Sequence, residues 1–159
     1  MPGFEEIYSL YSPQIFRVCM GYVNDDEQAR DLTQETFISA WQSLSTFKNQ
    51  SHISTWIFRI ATNKCLRALE VAKKMPKTEL PVNLPAPHEE SQHEKLAILY
   101  QCIATLEEID RIIISLVLED LPQAEIAAIV GLSNGNTRVR VHRIKEKLAI
   151  KLKAHGQFE

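Results

Sequence analysis

Apolar residues recur every three or four positions along most of the chain, a spacing that predicts α-helices. The pattern is most informative in residues 121–153, where one short apolar stripe begins after Pro122 and stops at Gly131. Glycine readily takes the left-handed conformation that ends a helix, and Ser133 or Asn134 can cap a second helix immediately afterwards. Two helices joined by such a tight turn predict a helix-turn-helix.

The second of these helices has two different faces. Five residues recur along one face and predict a buried stripe: Thr137, Val141, Ile144, Leu148 and Leu152. Four residues occupy the opposite arc: Arg138, Val139, His142 and Arg143. Arg140, Lys145 and Lys147 flank that arc, where long side chains can contact phosphates on either side of a DNA groove. This distribution is the one expected of a recognition helix.

Positive charge is concentrated in the same helix. Residues 133–153 contain seven Lys or Arg and one acid, Glu146, a net charge of +6 in a chain whose total is −2. Since the whole chain has a net charge of −2 and this segment +6, the other residues carry a net charge of −8. A basic helix alone is equally typical of a solvated amphipathic helix, but the preceding capped helix and glycine turn favour DNA binding.

Length and composition are those of an ordinary globular protein. The 159 residues, 45% hydrophobic and 24% charged, are enough for one ordinary domain or two small ones. The longest apolar runs are too short to span a bilayer, and the N-terminus lacks the basic and apolar regions of a signal peptide. We therefore expect no membrane insertion and a cytoplasmic location.

The residues usually found in metal sites and active sites do not cluster along the sequence. Cys19, Cys65 and Cys102 are widely spaced among apolar residues, which favours buried, reduced thiols over disulfides. The histidines have no metal-ligand spacing, so we assign no metal and no cofactor. Neither a glycine-rich phosphate loop nor the order of a catalytic triad is present, and we predict that the protein is not an enzyme.

In the N-terminal part, helices are predicted at about residues 4–22, with Ser12-Pro13 marking a kink or restart, and at 27–44. The second of these buries a wide stripe that includes Trp41. Five residues occupy its other side: Asp31, Gln34, Glu35, Ile38 and Gln42. The isolated Ile38 among acids and amides suggests a partner surface, although a solvated face explains it equally well.

A third helix is predicted at about residues 55–72, with apolar side chains pointing in several directions. Either it is deeply buried or its aromatic rings line a binding surface. Residues 73–93 contain four prolines and several polar residues, which predicts an extended linker. Further helices should follow from residue 94, with a capping box formed by Thr105 and Glu108. The predicted fold is all-α: two small helical domains, 1–72 and 94–159, joined by a flexible linker, the second containing the helix-turn-helix.

Three segments, in this order, resemble the extracytoplasmic-function class of bacterial RNA polymerase sigma factors, in the sigma-70 family. Residues 31–41, DLTQETFISAW, are similar to the helix that binds the clamp of the polymerase β′ subunit. Residues 54–63, STWIFRIATN, are similar to the segment that melts and recognises the promoter minus-10 element. The EIA at 125–127, the GLS at 131–133 and residues 138–143 resemble the helix-turn-helix that recognises the minus-35 element.

The resemblance implies a set of site residues for each segment. Those for core polymerase are Asp31, Gln34, Glu35, Ile38 and Gln42. Those for minus-10 DNA are Trp56, Phe58, Arg59, Asn63, Lys64 and Arg67. Those for minus-35 DNA are Asn136, Arg138, Val139, Arg140, His142, Arg143 and Lys147. Asn63 would bind a flipped base and the two aromatic rings would lie near the melted strand, roles that suit an amide and π-systems.

The resemblance also implies a function. The protein would be a promoter-specificity subunit that binds core RNA polymerase at the β′ clamp and β flap. It would recognise promoter DNA at both elements and promote strand opening for transcription initiation. An anti-sigma factor is implied as a further partner, and the free protein is expected to be a monomer.

Two other classes of protein fit parts of the pattern. A stand-alone helix-turn-helix repressor or activator would bind a palindromic operator as a dimer, without polymerase. A sigma-like protein whose first domain has become a ligand or protein sensor would bind promoters without opening them.

Overall fold

The computed structural model describes residues 3–47, 52–74 and 91–155. Within these ranges every regular element is helical, which confirms the all-α prediction. The α-helices are α1 (Phe4–Val23), α2 (Asp26–Ser43), α3 (Ile53–Lys74), α4 (Ser91–Ala104), α5 (Glu108–Leu118), α6 (Gln123–Val130) and α7 (Asn134–Ala154). A 3-10 turn, Leu44–Thr46, extends α2.

Several helix boundaries differ from the predicted ones. Helix α1 continues through Pro13, so the chain does not restart there, and Asn24 ends it in the left-handed conformation (φ 49°). Helix α3 ends at Lys74 and α4 begins at Ser91, so residues 73–74 and 91–93, at the two ends of the predicted linker 73–93, are helical. Residues 75–90 lie outside the described ranges.

The predicted capping box at the start of α5 is wrong. Glu107 is the N-cap residue, and it makes no side-chain capping hydrogen bond. The hydroxyl of Thr105 instead donates to the carbonyl of Cys102, at 2.7 Å, and so belongs to the end of α4. The sequence pattern of a capping box is present, but Thr105 takes part in the turn that follows α4 and does not cap α5.

The helix-turn-helix is confirmed as α6 and α7. Gly131 ends α6 with φ 77°, in the left-handed region. The Ser133 hydroxyl accepts a hydrogen bond from the Asn136 amide at 3.1 Å and caps α7. Ser133 therefore fixes where the recognition helix begins.

The helices share one continuous hydrophobic core. Tyr22 of α1 and Phe58 of α3 are fully buried in its N-terminal half, and Ile112 of α5, Ile126 of α6 and Ile144 of α7 in its C-terminal half. The two halves are in direct contact, since α1 packs against α5 and α3 packs against α6. The N-terminal and C-terminal helices therefore pack directly against each other.

All three cysteines are buried free thiols, as predicted. The sulfur atoms of Cys19 and Cys65 lie 3.8 Å apart, between α1 and α3. Across the described part of the chain, no helix is long and apolar enough to cross a bilayer.

Candidate functional site

One side of α2 presents the five residues predicted to bind a partner. We call Asp31, Gln34, Glu35, Ile38 and Gln42 the α2 face, and all five are exposed. Ile38 is 57% exposed. The opposite side of the helix is held in the core by Leu32, Phe37 and Ala40 among others. The helix thus fixes two carboxylates, two amides and one apolar side chain on a single surface.

An apolar groove borders the α2 face. Its volume is about 370 Å³, and it is lined by Phe4, Tyr8, Gln34, Phe37, Ile38 and Trp41. The rings of Phe4 and Trp41 meet edge to face at 5.0 Å, and those of Tyr8 and Phe37 at 4.8 Å. We call these four aromatic residues the aromatic patch.

The prediction that Trp41 lies in the buried stripe of α2 is wrong. The Trp41 side chain is 63% exposed. The apolar stripe of α2 is wider than the arc that α1 and α3 cover, so its edge remains in solvent. The signal for this patch was present in the sequence as aromatic pairs four residues apart, Phe4 with Tyr8 and Phe37 with Trp41.

The two aromatic residues predicted to lie near melted DNA have different environments. Trp56 is partly buried, with its ring 4.9 Å from that of Phe47. Phe58 is fully buried and packs edge to face against Tyr11, with ring centroids 6.2 Å apart. The placement of Phe58 at a DNA surface does not hold in this structure, because α3 is covered on more than one side.

The polar residues of α3 form a ridge. Arg59, Asn63 and Arg67 are all exposed and follow one another at intervals of four residues, which places them on one face. Lys64 is partly buried beside them. The Arg59 guanidinium donates to the carbonyl of Ala128 in α6 at 3.0 Å, so it already has a protein partner.

The ridge on α3 adjoins the α2 face. A groove of about 510 Å³ lies between the two helices. Asp31 and Glu35 line one wall of this groove, and Lys64 and Arg67 line the other. A single surface of the N-terminal half thus carries an acidic strip beside a basic one.

Helix α7 presents its predicted recognition arc to solvent. Its predicted stripe is confirmed as a buried one, with Thr137, Val141, Ile144 and Leu148 each less than a tenth exposed and Leu152 partly buried. Six of the seven predicted DNA-binding residues are exposed: Asn136, Arg138, Val139, His142, Arg143 and Lys147. His142 and Glu146 form an exposed pair at 3.1 Å.

The seventh residue, Arg140, is engaged within the protein. Its guanidinium donates to the Asp110 carboxylate of α5 at 2.9 Å, and the Asp110 side chain is only 10% exposed. This contact ties the recognition helix to the core. In this structure the charge of Arg140 is therefore directed at Asp110.

Two family models match the chain, one for each half. Residues 7–75 match Sigma-70 region 2, and residues 96–148 match Sigma-70, region 4. The chain belongs to the extracytoplasmic-function class of the sigma-70 family. The region 2 match contains the α2 face, the α3 ridge and three residues of the aromatic patch, Tyr8, Phe37 and Trp41. The region 4 match contains the recognition arc of α7.

Similar proteins include other sigma factors of this class. The ECF RNA polymerase sigma factor SigW of Bacillus subtilis is 26% identical over 169 aligned positions, which cover 95% of this chain and 89% of SigW. Among solved structures, the sigma factor RpoE in complex with the anti-sigma factor NepR from Bartonella quintana matches with a TM-score of 0.73. That match has 22% identity and covers 94% of this chain and 96% of RpoE.

CnrH in complex with the cytosolic domain of CnrY is similar to this sigma factor as well. The TM-score is 0.74 and the identity 22%, with 95% of this chain and 88% of CnrH covered. As a sigma factor, the protein binds core RNA polymerase, recognises promoters and acts in transcription initiation.

Proposed function

We propose that this sigma factor binds core polymerase through the α2 face together with the aromatic patch. The observation that carries the proposal is the pair of exposed apolar side chains at their junction, Ile38 and Trp41, 57% and 63% exposed. Burying a large apolar side chain is worth about 1.5–3 kcal/mol, and aromatic residues are frequent hot spots of interfaces. The carboxylates of Asp31 and Glu35 would add orientation and specificity at the rim.

Co-purification with bacterial core polymerase tests this proposal. The triple variant Gln34→Ala, Glu35→Ala, Ile38→Ala removes the centre of the α2 face, and we expect its affinity for core to fall roughly thirtyfold, equivalent to about 2 kcal/mol. Trp41→Ala tests the aromatic patch separately. The triple variant changes exposed side chains and should unfold at the temperature of the parent. Trp41→Ala also removes the ring contact with Phe4 and should unfold at a slightly lower temperature.

Arg138→Ala, in the recognition arc, is the matched control and should bind core as the parent does. Binding of the triple variant with the affinity of the parent would contradict the assignment of the α2 face. If the folded parent did not bind core at all, the proposed docking surface would be refuted as a whole.

In α3, we assign minus-10 recognition to the exposed ridge and to Trp56. The Asn63 amide would form paired hydrogen bonds with the edge of an extruded base, and Trp56 would stack on a neighbouring base for about 1–3 kcal/mol. Arg67 and Lys64 would contact the strand backbone. Capture of an extruded base adds binding energy to the melted state only, and so favours opening of the promoter.

In α7, we assign minus-35 recognition to the exposed arc in the major groove. Arg138, Val139, His142 and Arg143 would contact base edges, while Asn136 and Lys147 at its two ends would contact the backbone. The net charge of +6 in residues 133–153 supports this assignment, because phosphate contacts supply much of the affinity of a protein for DNA. Contacts to base edges then set the sequence preference.

We further propose that the role is that of a binding subunit in the cytoplasm, with no catalytic step of its own. We keep 1–72 and 94–159 as the two domains and 73–93 as the segment that joins them. An anti-sigma factor is a proposed partner, since RpoE and CnrH, which have the same fold, form complexes with NepR and with the cytosolic domain of CnrY.

A further inference from the structure

The two neighbouring thiols of region 2 belong to a small polar cluster in the hydrophobic core. Cys19 on α1 and Cys65 on α3 are both fully buried, and the Cys65 thiol donates to the Cys19 sulfur across 3.8 Å. Tyr22 lies one turn after Cys19 on α1, and Thr62 lies one turn before Cys65 on α3. We call these four residues the thiol–hydroxyl cluster, which lies between two helices that pack against each other.

The two hydroxyl groups of the cluster have no hydrogen-bond partner. Within the part of the chain that the structure describes, only two buried side-chain polar atoms are unpaired, and they are the hydroxyl oxygens of Tyr22 and Thr62. These residues are 1% and 2% exposed. Native proteins rarely keep an unpaired polar group in the core, and such a group often indicates a place for an ion or a functional role. Both unpaired O–H donors adjoin the thiol pair.

The Tyr22 phenol lies within electrostatic reach of the thiol pair. Burial, followed by the Glu108 carboxylate and then the Cys65 thiol, raises the pKa of Tyr22. The guanidinium of Arg111 acts in the opposite direction and lies 5.6 Å from the centre of the Tyr22 ring. The phenol O–H is therefore close enough to Cys65 to respond to negative charge on its sulfur.

The separation of the two sulfur atoms suits a shared metal ion. With metal–thiolate bonds of about 2.3 Å, two sulfurs on one ion lie about 3.8 Å apart at a tetrahedral angle and about 4.6 Å apart in a linear site. The distance between the sulfurs of Cys19 and Cys65, 3.8 Å, is at the short end of this range. A linear site would need each sulfur to move by only about 0.4 Å.

The ligands in the cluster restrict which cation fits. The described residues contain no group of three or more His, Cys, Asp or Glu side chains arranged for a metal ion. Zinc normally takes four strong ligands, and calcium and magnesium take oxygen ligands, so two thiols suit none of them. Thiolates select soft cations such as Cu(I), whose filled d shell allows coordination by two ligands.

We propose that Cys19 and Cys65 bind one Cu(I) ion as a pair of thiolates, with the hydroxyls of Tyr22 and Thr62 donating hydrogen bonds to the sulfurs. Two thiols and one Cu(I) ion give a bis-thiolate complex of charge −1 and two released protons, and no electron is transferred. The two hydrogen bonds stabilise the negative charge that the complex brings into the core. The ion would join α1 to α3 and so stabilise region 2, and the site shares no residue with the proposed binding surfaces.

An anaerobic titration of the full chain with Cu(I), supplied as its coloured bicinchoninate complex, tests the proposal. Because both sulfurs are buried, the ion enters only when α1 and α3 separate, so the protein is titrated folded and is also refolded with Cu(I) present. We expect one Cu(I) ion per chain and two protons released for each ion. With free Cu(I) at a thousand times its dissociation constant, the equilibrium constant of unfolding should fall about a thousandfold.

Substitutions in the cluster separate the ligands from the hydrogen-bond donors. Cys19→Ala and Cys65→Ala should each abolish Cu(I) binding, whereas the matched control Cys102→Ala, which removes a buried thiol of α4, should bind as the parent does. Tyr22→Phe and Thr62→Val remove unpaired hydroxyls and should keep one site with about tenfold weaker binding. Circular dichroism verifies that each variant is folded.

X-ray absorption of the parent decides the question even if a cysteine variant does not fold. We expect two sulfur ligands at about 2.3 Å from copper. A parent that retains no copper after refolding, or that becomes two hydrogen masses lighter by forming a disulfide in place of the complex, would overturn the site. Undiminished binding by Cys19→Ala or Cys65→Ala would overturn it as well, and undiminished binding by both Tyr22→Phe and Thr62→Val would overturn the role of the hydroxyls.

Discussion

Arg140 and Arg143 lie on the same basic helix, but the structure predicts opposite consequences for their removal. Arg140 is one-third exposed and paired with the nearly buried Asp110, whereas Arg143 is exposed in the recognition arc. Arg140→Ala leaves the Asp110 carboxylate in the core without this cation. The cost of an unsatisfied buried polar group is about 1–3 kcal/mol, and partial exposure of the pair keeps it below the cost of a fully buried ion pair.

For a chain of this size, 1 kcal/mol corresponds to a shift of about 2–4 °C in the midpoint of thermal unfolding. With a loss near 2 kcal/mol, we expect Arg140→Ala to unfold about 4–8 °C below the parent, as measured by circular dichroism. The double variant Asp110→Ala, Arg140→Ala removes the orphaned carboxylate and should recover part of that loss.

Arg143→Ala should leave the unfolding temperature almost unchanged, because the substitution is on the surface. Arg143→Ala should instead weaken binding to a minus-35 duplex, as measured by fluorescence anisotropy. Loss of a base contact costs about 1–3 kcal/mol of binding free energy. The assignment of Arg140 to the protein interior would be refuted if Arg140→Ala kept the parent's unfolding temperature and weakened DNA binding as strongly as Arg143→Ala does.

Two further predictions concern buried aromatic residues. Phe58→Ala should destabilise the fold by about 3–5 kcal/mol in chemical denaturation, because the ring is fully buried, whereas the matched surface variant Asn63→Ala should keep its stability and lose promoter opening. A Phe58→Ala variant as stable as the parent would contradict the core position. Burial, followed by the nearby Glu108 carboxylate, raises the pKa of Tyr22 above its ordinary value of 10.0, so above pH 10 the unfolded chain releases a proton that the folded chain keeps. Stability should therefore fall as the pH rises above 10, and Tyr22→Phe, which removes a hydroxyl without a hydrogen-bond partner, should reduce that fall. Urea unfolding of both forms at pH 7 and above pH 10 measures the difference, and identical losses in the two would contradict it.

Local features of the sequence predicted the helix-turn-helix well. The stripe that begins with Thr137 and Val141 and the turn at Gly131 depend on spacing within one segment, so the pattern alone indicates them. The α2 face was also predictable from the sequence, because Ile38 is an apolar residue on an otherwise polar side of the helix. All of these are properties of a helix and its immediate ends.

The two misplaced aromatic residues depend on what packs against a helix. Trp41 and Phe58 are both aromatic residues in amphipathic helices, and only their neighbours decide that the first is exposed and the second buried. Contact between the two regions was not predictable from spacing, since it rests on residues far apart in sequence such as Gly21 and Ser115. A single glycine in an apolar helix does not indicate which helix will cross it.

The exposed position of Trp41 also gives the protein an optical signal of its own. The chain has two tryptophans, Trp41 in α2 and Trp56 in α3, so indole emission arises from region 2 alone. Trp56 is partly shielded by Phe47, whereas Trp41 is largely exposed to water, so we expect its indole to emit at the red end of the tryptophan range. A partner that covers the aromatic patch replaces that water and moves the emission to the blue, while DNA bound to region 4 leaves it unchanged. The emission of the unlabelled protein can thus report when a partner occupies region 2.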